Sequence, residues 1–128
     1  MRYLLDTHTF LWMAAEPAKL SEKINGIVQV SDNQLLLSAA SGWEIALLWH
    51  LKRVDLPDQP RRFIPEALHK LSVVPLPIGF DTAISAATLP LVHRDPFDRI
   101  IVAEALKENV PVLTKDSTFA EYGTRTLW

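Results

Sequence analysis

The sequence predicts an α/β fold built on a mostly parallel sheet, and three observations carry that prediction. Short apolar runs of strand length recur along the chain, segments with apolar residues at helical spacing separate them, and the junctions carry capping residues and prolines rather than long polar linkers. Strands that each return through a helix run parallel, and a parallel sheet needs helices on both faces. The 128 residues, 48% of them apolar, suit one domain with a real core.

Taken in order, Arg2-Tyr3-Leu4-Leu5 reads as a buried strand ending at Asp6-Thr7-His8-Thr9, a helix start. Phe10, Leu11, Met13 and Ala14 carry the first helix, and Pro17 marks its end. A second helix runs from Ser21 to about Val30, with Glu22 in its first turn and Ile24, Ile27 and Val28 at helical spacing. After the Ser31-Asp32-Asn33 turn, residues 34–38 form the second strand. Ser41-x-x-Glu44 has the form of a capping box and opens a helix to about Arg53, with Leu47, Leu48 and Leu51 as its apolar stripe. Beyond the turn-rich residues 55–60, Phe63, Ile64, Ala67, Leu68 and Leu71 keep helical periodicity, with Pro65 placed near the helix start. Residues 72–76 form a third strand, which Pro75 confines to an edge or an end. Residues 80–89 form a helix rich in small residues; Asp95-Pro96 then caps and starts a helix over residues 97–108, with Asn109 as its C-cap. Residues 110–114 form a fourth strand, and residues 125–128 add an edge strand.

The net charge of -2 and pI near 6.0 argue against gathering a polyanion by bulk electrostatics, so any nucleic-acid contact has to come from local basic patches. The absence of cysteine excludes disulfides, thiolate catalysis and Cys-based zinc sites, and fits a reducing compartment. With no signal-peptide pattern and no apolar run of about 18 residues, the expectation is a soluble cytoplasmic protein without a membrane partner.

The acids fall in an informative pattern. Asp6 follows the first strand, Glu44 lies in the first turn after the second, Asp98 opens a helix, and Asp116 follows the fourth strand. In an open α/β sheet these positions share the carboxyl edge, where ligands bind, so acids far apart in sequence converge in space. Each acid also has a structural explanation as a helix cap. Glu44, however, shares a helical face with Leu47, Leu48 and Leu51, and Asp98 shares one with Ile101, Val102 and Ala105, so both are expected to point inward. Inward carboxylates persist when paired, protonated or bound to a cation. Oxygen donors without cysteine or a close histidine pair favour Mg²⁺ or Mn²⁺ over Zn²⁺, and His8, His50, His69 and His93 show no ligand spacing. Arg94 and Arg99 flank the acids and are candidates either for phosphate binding or for pairing with Asp95 or Glu104.

Leu4-Leu5-Asp6-Thr7-His8, Ser41-Gly42-Trp43-Glu44-Ile45, the run from His93 to Arg99, and Leu113-Thr114-Lys115-Asp116 together resemble the PIN domain of VapC-type toxins, in that family's order and along the whole chain. The resemblance implies a three-layer sandwich around a four- or five-stranded parallel sheet, formed by one domain over residues 1–128. It implies a Mg²⁺- or Mn²⁺-dependent endoribonuclease, with Asp6, Glu44 and Asp98 as the main metal-site and catalytic residues and Asp116 as a fourth. A cognate antitoxin whose tail covers the acidic groove and a homodimer are implied as partners, RNA as the substrate. Asp95 is assigned to helix capping. Three alternatives stand beside this: a catalytically inactive PIN-like binding module; a metal-dependent phosphatase of the haloacid dehalogenase class, although His8 stands where that class places its second Asp; and an α/β domain whose acids are only caps.

Overall fold

A computed structural model describes residues 1–128. Strands β1 (Arg2–Leu5), β2 (Gln34–Ser38), β3 (Val73–Leu76), β4 (Val112–Leu113) and β5 (Thr126–Leu127) form one sheet in the order β3-β2-β1-β4-β5, with every neighbouring pair parallel. The expected fold class is borne out, and the sheet is wholly parallel. Helices α1 (Thr7–Ala15), α2 (Glu22–Gln29), α3 (Ala39–His50), α4 (Pro60–Lys70), α5 (Phe80–Thr88) and α6 (Pro96–Glu108) surround it, with short 3₁₀ helices at Pro17–Lys19 and Ser117–Tyr122. No helix is long and apolar enough to cross a membrane.

The two-residue period of a strand explains why the central strands are apolar throughout. Leu4, Leu36 and Val112 face α6, packing with Ile101, Val102, Ala105 and Phe119. Their neighbours Tyr3, Leu5, Leu35, Leu37 and Leu113 face the other layer, meeting Phe10 of α1, Ile24 of α2, Ile45 of α3 and Phe63 of α4. Leu4 and Leu5 are both 0% exposed, so β1 is the covered spine of a three-layer sandwich. Pro75 lies on β3 at the sheet edge, where its missing N–H breaks no ladder bond to a further strand.

Three local expectations are corrected. Helix α3 starts at Ala39, because Ser38 caps it by accepting the Ala40 N–H at 3.0 Å; Ser41 is fully buried and accepts a hydrogen bond from the Thr7 hydroxyl at 2.9 Å. Pro65 lies inside α4 and Pro60 takes the first helical position; Arg61, whose carbonyl loses the Pro65 partner, is exposed to water. The Leu47-Leu48-Leu51 stripe does not enter the core, since α3 buries Ala40, Ser41 and Ile45 instead, leaving Leu47 38% and Leu51 52% exposed.

One buried carboxyl on α6 stitches two layers together. Glu104 is 3% exposed, its Oε1 accepts the Ser38 hydroxyl, and its Oε2 has no partner. Burial pushes this carboxyl from 4.5 up to about 7, against the opposing pull of the Ser38 hydrogen bond. A carboxyl raised on folding keeps its proton in the native state after the unfolded chain has lost it, so its contribution to stability falls as pH climbs from about 4.5 to about 7. Glu104→Gln keeps an acceptor for Ser38 and cannot ionise. Denaturation of both proteins from about pH 4 to about pH 8 is expected to show the variant gaining on the wild type as pH rises, by roughly 1–3 kcal/mol at the top of the range. Parallel stability curves would show that Glu104 carries no such cost.

Candidate active site

From β1 the chain first builds outward through β2 and β3, then returns to the other side of β1 to add β4 and β5. The carboxyl edge between β1 and β4 is therefore a topological switch point, the place where open α/β sheets leave a crevice. Asp6 leaves β1 there and is 7% exposed. Its Oδ1 caps α1 by accepting the Thr9 N–H at 2.8 Å, and its Oδ2 accepts the hydroxyl of Thr114, which leaves β4. The same Thr114 oxygen accepts the Asp116 N–H at 3.0 Å, so one hydroxyl ties together the acids that follow two adjacent strands. Oδ1 of Asp116 caps the following 3₁₀ helix through the Thr118 N–H at 2.9 Å and the Thr118 hydroxyl at 2.7 Å.

Asp95 caps α6 through Oδ1, accepting the Phe97 N–H at 2.9 Å, and Asp98 is the third residue of that helix. Glu44 is the sixth residue of α3 because that helix begins before Ser41. All five carboxylates line one cleft of about 100 Å³, together with Thr7, His8 and Phe119. The four acids singled out in the sequence are thus brought together, and Asp95, assigned only to capping, joins them with its second oxygen uncommitted.

The cap explanation divides these acids cleanly. Asp6, Asp95 and Asp116 each use one oxygen on a backbone N–H, whereas Glu44 and Asp98 accept no backbone hydrogen bond. Oε1 of Glu44 is buried without any partner. Burial, with Asp95 and Asp6 adding to it, raises the Glu44 carboxyl above its ordinary value, partly offset by Thr7 and His8. Burial foremost, then the surrounding Asp95, Glu44, Asp6 and Asp116, push Asp98 up to about 8. Crowded carboxylates with unpartnered oxygens are an arrangement that a hard divalent cation relieves, and the donor set fits one.

Sequence spacing gave no warning of His93. Its Nε2 lies 3.1 Å from Asp98 Oδ2 and 3.9 Å from Asp116 Oδ2, and ligand atoms of these three residues lie within 4.8 Å of one another. Thr114 was missed as well; a hydroxyl that bridges two strand ends has no signature along the chain.

The arginines separate. Arg94 is exposed and makes no ion pair, so it is free to meet a polyanion. Arg99, expected to face either phosphate or a neighbouring acid, pairs with no acid. It is 7% exposed, and its guanidinium donates to the carbonyls of Leu89 at 2.8 Å, Pro90 at 2.9 Å, Ala87 at 3.3 Å and His93 at 3.3 Å. These carbonyls end α5 and form the loop after it, so Arg99 caps a neighbouring helix at its negative end.

Beside the cleft and sharing His8, Glu44 and Asp95 with it, a larger groove of about 640 Å³ runs between α1 and α3, walled by Leu11, Leu47, Leu48 and Leu51. The apolar stripe of α3 faces this groove.

The profile of the PIN domain matches residues 3–124. The chain belongs to the PIN-domain family. Ribonuclease VapC22 of Mycobacterium tuberculosis is 28% identical to it over 116 residues, spanning 88% of this chain and 85% of that protein. Ribonuclease VapC16 of the same organism is 36% identical over 52 residues, covering 41% of this chain and 37% of that one. Among solved structures, VapBC2 from Rickettsia felis bound to a promoter DNA fragment superposes with a TM-score of 0.71 at 15% identity, covering 99% of this chain and 98% of that one. FitAcB from Neisseria gonorrhoeae gives 0.63 at 20% identity, covering 98% and 96%. At such identities the structures establish the fold, and membership of the PIN family displaces the haloacid dehalogenase reading.

The place of Arg99 in this PIN domain makes a sharp expectation. Arg99→Ala removes the buried guanidinium that ties four carbonyls at and after the end of α5 to α6 and is expected to cost roughly 1–3 kcal/mol in denaturant unfolding. Arg99→Lys is expected to recover only part of this, because a single ammonium cannot reach a fan of carbonyls as a planar guanidinium does. Wild-type stability in both variants would mean that water replaces the guanidinium without loss.

Proposed function

We propose that this PIN domain is a metal-dependent endoribonuclease, the toxin of a toxin–antitoxin pair acting in the cytoplasm. The observation that supports it most is the convergence of Asp6, Glu44, Asp98 and Asp116 from four segments on one cleft, with Glu44 and Asp98 left without backbone partners. These four residues would hold Mg²⁺ or Mn²⁺, and Asp95 lies close enough to add to their field. Such a cation, when bound, activates water and neutralises charge on the attacked phosphate. Asp6 and Asp116 are held in place by Thr114, so their positions need little reorganisation when substrate arrives. Arg94, exposed beside the acids, is the chain's own group for the RNA backbone. Arg99 has no part in substrate contact.

The relatives named as VapC ribonucleases support the nuclease assignment, and the VapBC2 and FitAcB complexes support a protein partner. The groove beside the cleft suits that partner: its leucine wall would take the apolar face of an antitoxin tail, whose end would close over the acids. A second copy of the chain has an apolar surface available on α5, where Phe80 is 90% and Ile84 56% exposed.

Asp98→Asn tests the site, because Asp98 caps nothing and the substitution removes only charge. Cleavage of RNA is expected to fall by at least about a hundredfold while the fold persists. Mg²⁺ or Mn²⁺ is expected to raise the melting temperature of the wild type more than that of the variant. A variant that cleaves like the wild type would remove Asp98 from the reaction. Leu47→Asp tests the groove: it is expected to weaken capture of the product of the neighbouring open reading frame roughly tenfold or more and to leave RNA cleavage intact. Undiminished capture would place the antitoxin elsewhere.

A further inference from the structure

Helix α3 presents a further face that the acidic cleft does not use. Gly42, Ala46, Trp49 and His50 recur there at helical spacing and, with Arg61 and Pro65 of α4, line a groove of about 510 Å³. Glu44, Leu47 and Leu48 line the larger groove on the opposite side of the helix. Trp43 lies between the two faces, next to Glu44, and is 59% exposed. Its ring meets Phe97 edge to face, with centroids 4.9 Å apart and planes at 87°. Phe97 directly precedes Asp98, so this aromatic pair spans the rim of the cleft that holds Glu44 and Asp98. The α3–α4 groove has no carboxylate in its lining. Arg61 is exposed there and makes no ion pair, while Asp58 is paired with Arg62 at 3.9 Å. In a chain of net charge -2, a groove that sets an uncommitted guanidinium beside an exposed indole is a local exception.

We propose that Trp43 and the α3–α4 groove form a binding track for single-stranded RNA, with Trp43 stacking a base at the cleft rim and Arg61 holding a backbone phosphate beyond it. Exposed aromatic rings followed by cations are how proteins hold a single strand, since every base has a face to stack and a guanidinium grips phosphate. A strand leaving the acids for this groove must cross α3, about 10–12 Å wide with its side chains, and Trp43 stands at the crossing. A base stacked there anchors the strand next to Glu44 and Asp98, so the phosphate beside that base is the one presented to the acids. An isologous pair of protein chains is the poorer occupant: it would bring this carboxylate-free patch against itself and bury Arg61 without a partner. The choice of RNA rests on the nuclease reading of the cleft.

Fluorescence anisotropy of a labelled oligoadenylate of about 12 nucleotides, with divalent metal chelated so that the strand stays intact, reads the track directly. Trp43→Ala is expected to weaken binding roughly tenfold and Trp43→Phe to restore most of the loss. An abasic strand of equal length separates stacking from charge: the wild type is expected to prefer the strand with bases, Trp43→Ala to lose most of that preference, and Arg61→Ala to keep it. Arg61→Ala is instead expected to flatten the slope of log affinity against log salt by about 0.7, the value of one phosphate contact on a single strand. If Trp43→Ala fails to fold, Trp43→Leu keeps an apolar contact for Phe97, offers no ring to a base, and is expected to behave as the Ala variant should. Wild-type affinity or wild-type preference for bases in Trp43→Ala or Trp43→Leu overturns the proposal, as does absence of binding by the wild type. A changed oligomeric state in those variants with RNA affinity unaltered also overturns it and gives the face to a second protein chain. Binding with the expected pattern but no cleavage when Mg²⁺ or Mn²⁺ is restored would sink the nuclease reading and leave the track standing. Cleavage and binding that are both indifferent to Trp43 would do the reverse.

Discussion

Carboxylates gathered in a cleft partly withdrawn from water repel one another, and each must be restrained or it will turn away toward solvent. Five of them share a space of about 100 Å³ here. Each of the three aspartates that cap a helix commits one oxygen to a backbone N–H, which both fixes the side chain and stabilises its negative charge at a helix start. Capping and site building are thus the same hydrogen bonds seen from two sides. The remaining two, Glu44 and Asp98, have no such restraint, and burial lifts both above their ordinary range.

The surrounding structure serves this arrangement through a few connections. Thr114 joins the ends of β1 and β4 by donating to Asp6 and accepting from the Asp116 amide. Arg99 reaches from α6 to the end of α5, with Tyr122 completing the clamp on His93. A buried guanidinium satisfied by carbonyls carries its cost only while all the acceptors remain in place, so the loop before α6 has little freedom. The open groove on the α1–α3 side contrasts with this rigidity: its leucines remain partly exposed because α3 buries a different face.

The sheet and most helices were legible because their signals are local. The apolar runs at residues 2–5 and 34–38, Ser21 before α2, Pro75 on an edge strand and Asn109 with φ of 52° all act through near neighbours. The cap of α3 falls on Ser38, three residues before Ser41, because Ser41 is buried against Thr7, a contact between segments far apart in the chain. Helical spacing puts Leu47, Leu48 and Leu51 on one face of α3 but does not show what lies opposite that face.

By itself the sequence determined the parallel α/β architecture and placed Asp6, Asp98 and Asp116 at a strand exit or helix start, since both follow from periodicity and caps within a few residues. Tertiary structure alone decided that Asp95 shares the cleft, that Arg99 ends a neighbouring helix, and that His93 turns its Nε2 toward Asp98. These depend on contacts between segments distant in the chain or on the rotation of one helix against another. Such relations are fixed by packing and by hydrogen bonds in three dimensions, and no one-dimensional spacing encodes them.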